Sequence, residues 1–317
     1  MRKIFILVTL FVFTAFNINL AFANDSTEET TEQVTEQVNA CPVNSKECEI
    51  SKKEIRQNTN IENLRKFVAD YEKLQNKHNL TALKQVYSDD FVNADGYNKT
   101  QLFNLISQTL SNYPDIQNTY EIADIIPGDN FATIFLNQTV SATTKENSKI
   151  TNDKGEYNAK LKMVMYLKKY NNKWKIYSED VNYESSTLAF GSAKGVEAEV
   201  NAPQKVLANT DYCAGFSVDV PEGYNAIASV NVTQLVDNYK MTSESYRQIE
   251  KDKQSLERVI KANNDGNNEA VMVSIGFTKQ ENDMFKKPKI ELSGLLILFQ
   301  RVDIIPANSN LKTTESK

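Results

Sequence analysis

Apolar positions recur at steps of three and four in three early segments, and at steps of two in those that follow. In IENLRKFVADYEKL, Ile61, Leu64, Phe67, Val68, Tyr71 and Leu74 share one face of an amphipathic helix. LTALKQVY predicts a second, short helix with Leu80, Leu83 and Tyr87 inward. After the turn DFVNADGY, Asn98 predicts an N-cap with Gln101 as its capping-box partner. The third helix then buries Leu102, Phe103, Ile106 and Leu110 and ends at Tyr113-Pro114.

Alternation takes over from Thr119. Residues 119–126 and 131–144 read as strands joined by the turn Pro127-Gly128-Asp129-Asn130. A polar loop covers 145–157, and strands over 159–170 and 173–183 meet at Asn171-Asn172, a pair that tolerates the positive φ of a tight hairpin. Leu161, Met163, Met165 and Leu167 share one face, while Lys160, Lys162, Val164 and Tyr166 share the other. One face is thus apolar and one mixed, as in an antiparallel sheet covered by helices on one side.

FGSAKG connects this unit to a second, spanning 196–306. Its runs VEAEV, YCAGFSVDV, AIASVNVTQLV, EAVMVSIGFTK and SGLLILFQRVDIIP predict strands, with a hairpin-like turn at Pro221-Glu222-Gly223. SESYRQIEKDKQSLERVIKANN predicts one inserted helix carrying Tyr246, Ile249, Leu256, Val259 and Ile260. The expected fold class is α+β. Three N-terminal helices pack on a curved antiparallel sheet over 59–190, and a β-rich, sandwich-like accessory domain with one inserted helix follows.

A length of 317 residues suits about two domains. The net charge of -5 and the lack of a basic cluster exclude a nucleic-acid binder. Arg2 and Lys3, the apolar run from Ile4 to Phe16 and Ala21-Phe22-Ala23 predict a secretory signal over 1–23, cleaved after Ala23. A membrane anchor is the competing reading, but the run is short for a span. The chain is therefore expected to be exported, periplasmic or secreted. Residues 24–58 are Thr/Glu-rich and bury little, which predicts a disordered acidic linker, and 307–317 a flexible tail.

In an exported chain, the loop CPVNSKEC makes Cys41–Cys48 a plausible local disulfide. A metal site competes with it, but two thiols and the single histidine, His78, do not complete a zinc shell. Cys213 is left over, in a strand-like stretch where a small buried hydrophobe is the expected role. His78 reads as an exposed loop residue. No phosphate loop, metal motif or serine elbow is present, and neither metal nor cofactor is expected.

The order of elements and two stretches carry a resemblance. HNLTALKQVYSDDFVNADG and NNKWKIYSEDV resemble segments of the nuclear transport factor 2-like (SnoaL-like) superfamily, over roughly residues 60–190. That resemblance implies a cone-shaped domain with a pocket. Phe91 and Val92 would plug its floor, and Asp95-Gly96-Tyr97 would turn the chain at its rim. Tyr71, Tyr87, Phe91, Phe103, Met163, Met165 and Tyr177 would line the pocket. It also implies homodimers through the sheet. The superfamily holds both enzymes and binding modules, so the chemistry stays open. One expectation is a non-catalytic binding protein of the cell envelope, whose partner is a small hydrophobic ligand or an envelope protein. The alternative is a SnoaL-like lyase or isomerase with Asp95, Tyr97 and Asp180 as acid–base groups, Asp180 sharing strand parity with Trp174 and Ile176.

Overall fold

In the computed structural model of the chain, the described residues are 46–235, 245–250, 252–279 and 291–306, with side chains from residue 58 onward. The expected signal, Cys41 with its pairing, and the tail lie outside them. Three helices come first: α1 (Lys46–Asn76), α2 (Leu80–Val86) and α3 (Lys99–Asn112). The later part of the expected linker is thus already helical. Asn79 caps α2 through Ala82 N, and Asn98 and Gln101 close the capping box of α3.

Twelve strands follow among the described residues. They are β1 (Gln117–Ile126), β2 (Phe131–Asn147), β3 (Lys154–Tyr170), β4 (Lys173–Gly191), β5 (Ala198–Asn201) and β6 (Lys205–Leu207). Then come β7 (Asp211–Val218), β8 (Tyr224–Gln234), β9 (Arg247–Gln248), β10 (Ser255–Lys261), β11 (Glu269–Lys279) and β12 (Leu292–Ile305). The Asn171-Asn172 hairpin has φ of 50° and 62°, as its residue types predict.

Nine strands form one sheet, ordered β1-β2-β3-β4-β12-β11-β8-β9, with β6 parallel to the end of β12. β4 is much longer than its apolar pattern suggests. Its second half pairs with β12 from Ser185↔Gln300 to Gly191↔Gly294, so the sheet runs unbroken past residue 191. The sheet is covered on opposite faces at its two ends. Helices α1–α3 bury Leu64, Val68, Tyr71, Leu83, Phe91 and Phe103 against Ile134, Leu136, Met165, Leu167 and Ile176. Burying each such side chain contributes roughly 1.5–3 kcal/mol. On the other face, a three-stranded sheet β10-β7-β5 places Phe216, Val200 and Ile260 against Val230, Val273, Leu298 and Val302.

One expected element is corrected. Within the predicted inserted helix, Arg247–Gln248 and Ser255–Lys261 are strands. In SLERVIK, Leu256, Arg258 and Ile260 turn inward while Glu257, Val259 and Lys261 are exposed, a period of two. All seven residues pair with β7. Cys213 is also corrected: it is exposed, its Sγ 3.8 Å from Glu257.

The first part of the outer edge of β1 is closed by side chains of α1. Asn76 Nδ2 donates to Asn118 O at 2.8 Å, and Asn118 N donates to Asn76 Oδ1 at 2.7 Å, reproducing a strand's bonding pattern. Tyr120 N donates to Glu72 Oε2, and His78, held at φ 54°, sits 3.0 Å from Ile116 O. Exposed edges template aggregation, and the first part of this one, as far as Tyr120, is covered. We expect Asn76→Ala to cost roughly 1–3 kcal/mol and to produce concentration-dependent self-association in sedimentation. Unchanged stability and the wild type's own oligomeric state at all concentrations would refute this role.

Candidate functional site

The connection between α2 and α3 builds the first part of the site. It runs beside the early half of β4 as an irregular strand. Ser88 N donates to Ile176 O at 2.9 Å, Val92 N to Tyr177 O at 3.4 Å, and Ala94 N to Glu179 O at 2.8 Å. Beyond Glu184, β12 takes over the same edge of β4. Asp95 sits where the two partners meet. Asn93 and Gly96, the latter at φ 85°, turn the chain there. Phe91 plugs the helix core at 1% exposure, whereas Val92 is 48% exposed.

Asp95 faces Arg301 of β12, not the interior of the helix-covered face. Its two oxygens accept from Arg301 Nη2 at 2.7 Å and Nη1 at 2.9 Å, a bidentate pair, and Asn268 Nδ2 adds a third bond at 2.9 Å. Arg301 Nε donates to Asp303 at 2.8 Å. The Arg301 residue is only 4% exposed. Burial works against its charge, but the bonds to Asp95 and Asp303 outweigh that and hold its pKa above the usual guanidinium value. Tyr97 OH donates to Leu235 O. The segment 95–97 is therefore a clamp between the two ends of the sheet.

Two more carboxylates lie near this ion pair. Burial pushes Glu184 up to about 7, with Arg301 opposing the rise and Asp95 adding to it. Asp180 is also raised by burial and by Asp303 and Asp95, again against Arg301. Asp180 does not share a face with Ile176. A bulge at Tyr177, between the pairs Tyr166↔Ser178 and Leu167↔Ile176, reverses the alternation and turns Glu179 inward instead.

Glu179 ends a buried chain of donors. Gln75 Nε2 donates to Tyr71 OH at 2.7 Å, Tyr71 and Tyr87 hydroxyls lie 2.7 Å apart, and Tyr87 OH donates to Glu179 Oε1 at 3.0 Å. With Tyr87 committed to the carboxylate, Tyr71 is the donor between the hydroxyls. Desolvation pushes Glu179 up to about 7, although the Tyr87 bond favours its charged form. The same burial raises Tyr71, Tyr87 and the adjacent Tyr120.

Of the residues expected to line a pocket, Tyr71, Tyr87, Phe91, Phe103, Met163 and Met165 come together, each at most 6% exposed, packed on one another in the helix core. Tyr87 packs edge-on to Phe91 and Phe103, with ring centroids 5.0 and 5.3 Å away. Tyr177 lies apart, 6.0 Å from the Phe131 ring and 6.2 Å from that of Tyr166. Sequence reading missed Glu179 and Arg301. The bulge left no signal in the residue types, and Arg301 lies 206 positions from its partner. Among the described residues no cluster of three potential metal ligands occurs, and no helix is long and apolar enough to cross a membrane.

No family model matches the chain, and no curated protein sequence matches it. Among solved structures, a conserved protein from Planctomyces limnophilus is similar at 11% identity. The match covers 37% of this chain and 90% of that one, with a TM-score of 0.33. A candidate scytalone dehydratase from Novosphingobium aromaticivorans is similar at 11% identity, over 43% of this chain and 87% of its own, with a TM-score of 0.31. A type 2 hexachlorocyclohexane dehydrochlorinase (LinA) is similar at 12% identity, over 42% and 90%, with a TM-score of 0.33. Likeness at this level bears on neither activity nor substrate.

Proposed function

We propose that the chain is an exported, non-catalytic binding or interaction protein of the cell envelope. In this reading residues 59–190 are a nuclear transport factor 2-like domain and 196–306 a sandwich-like accessory domain. The observation that carries the reading is the commitment of Asp95. The carboxylate expected to do acid–base work is held at 2.7 and 2.9 Å by a buried arginine. Tyr97 is likewise bonded to the backbone of Leu235. The expected pocket residues fill the space under the helices with their own side chains, which favours a partner taken at the surface. A homodimer through the sheet belongs to the same proposal, supported by Ile126 and Phe131, 55% and 54% exposed.

One observation favours the lyase or isomerase reading: Glu179, pushed up to about 7 beside the Tyr87 hydroxyl, has the pKa of a general base. A single experiment separates the two. The purified protein is incubated with a small-molecule extract of its own cell envelope and the mixture is read by mass spectrometry. A binding protein returns every compound unchanged, with or without Glu179→Gln. An enzyme yields a product that has lost water or changed retention, and Glu179→Gln abolishes it; that result would overturn the proposal.

A further inference from the structure

A groove of about 490 Å³ lies on the sheet face turned away from the helices. Two neighbouring cross-strand rows make its floor. One is Thr119–Thr139–Lys160–Ser185 and the next is Gln117–Ser141–Asn158–Thr187. Each row crosses four strands about 4.8 Å apart. β5 forms the wall, through Glu199 and Val200, where the smaller sheet begins; Leu298 of β12 completes it. Tyr183 stands in the row beyond, at one end.

The lining has an unusual balance. Among the described residues Thr119, Thr139, Ser141, Asn158, Ser185 and Thr187 make no side-chain hydrogen bond. Their hydroxyls and the Asn158 amide both donate and accept. Lys160 and Glu199 are the only charged groups in the lining, and they cancel. A single cation among so many neutral groups suits neither a polyanion nor a nucleic acid. The apolar contribution is too scattered for a hydrophobic ligand. The volume is that of a small-molecule site.

We propose that this groove binds a neutral, polyhydroxylated saccharide, a short stretch of glycan laid across β1–β4. Sugar hydroxyls are the one common ligand chemistry that donates and accepts at every position, as this floor does. Tyr183, whose ring has Lys162 Nζ over it 6.0 Å from the centroid, would offer the apolar face of a pyranose the side of the ring away from that cation. Satisfaction of unpaired groups supplies the affinity, with little dependence on salt. The site is independent of whether the helix-covered face is catalytic.

The test is calorimetric titration of the full chain with three probes: chitotetraose, cellotetraose and maltotetraose. The first represents N-acetylated wall glycans, the others hexose polymers, so the three arms separate the sources. Saturable binding of at least one probe is expected, unchanged when salt is raised. Thr139→Val with Thr187→Val keeps strand-forming shape and removes two unpaired hydroxyls. It should leave the melting curve unaltered and weaken binding roughly tenfold or more. Silence from all three probes overturns the proposal. So does binding that survives the double substitution, or binding that collapses in high salt.

Discussion

Asp95→Asn is expected to lower the unfolding free energy by about 3 kcal/mol, the lower end of the range for breaking a buried ion pair. The loss comes from the partner left behind. Arg301 is 4% exposed and cannot shed its charge, so without Asp95 it keeps only the Asp303 carboxylate, 2.8 Å from Nε. Partial relief comes from Glu184. Asp95 now helps to raise its pKa, so removing that charge lets Glu184 ionise toward the guanidinium. Asp95→Asn combined with Arg301→Met should therefore be less destabilised than Asp95→Asn alone, because the guanidinium is no longer stranded and the carboxylate that loses its partner, Asp303, is the more exposed of the two, at 19% against 3%. Urea unfolding of the two variants measures both effects. A change below about 0.5 kcal/mol in Asp95→Asn would mean the pair does not tie the ends of the sheet together. Stability left intact together with lost turnover would instead return Asp95 to the list of acid–base groups.

Stability should also fall as pH rises from about 4.5 to about 7, because Glu179 holds its proton more tightly folded than unfolded. The group's ordinary value is 4.5 and its folded value about 7. A carboxyl raised in the folded state contributes its full stabilisation below the unfolded pKa. That contribution is lost progressively as pH passes up through the folded value. The loss is roughly 3 kcal/mol for this one group. Glu184, pushed to about 7 by burial, acts in the same direction over the same window. Denaturant midpoints measured at pH 5 and pH 8 give the slope, and Glu179→Gln should flatten it, leaving the Glu184 part. A wild-type profile that is level across this window would show that Glu179 is solvated enough to ionise freely.

The local features were legible because their causes are local. Helix periodicity, the Asn98–Gln101 capping box, the Asn171-Asn172 hairpin and the alternation of Met163, Met165 and Leu167 each depend on residues within a few positions of one another. SLERVIK shows where that fails. Leu256 and Ile260 are four apart, which suits a helix face and a strand face equally, and the pairing with β7 decides between them. Asp180 was misread for a related reason. One extra residue at Tyr177 reverses the side chains from Ser178 to Val181, until a second bulge at Asn182 restores the alternation, and bulges of this kind depend on what the strand packs against.

Three early helices, a long antiparallel sheet after them and the side of β3 that faces the helices all follow from residue order alone. That β4 hands its edge from the α2–α3 connection to β12 was settled by long-range packing. The same holds for the two cores lying on opposite faces of one sheet. Such packing also decided that Asp95 meets Arg301 across 206 residues while Glu179 meets Tyr87 across 92. These are contacts between distant segments, selected by burial and charge once the chain has closed on itself, and no local pattern of residue types encodes them.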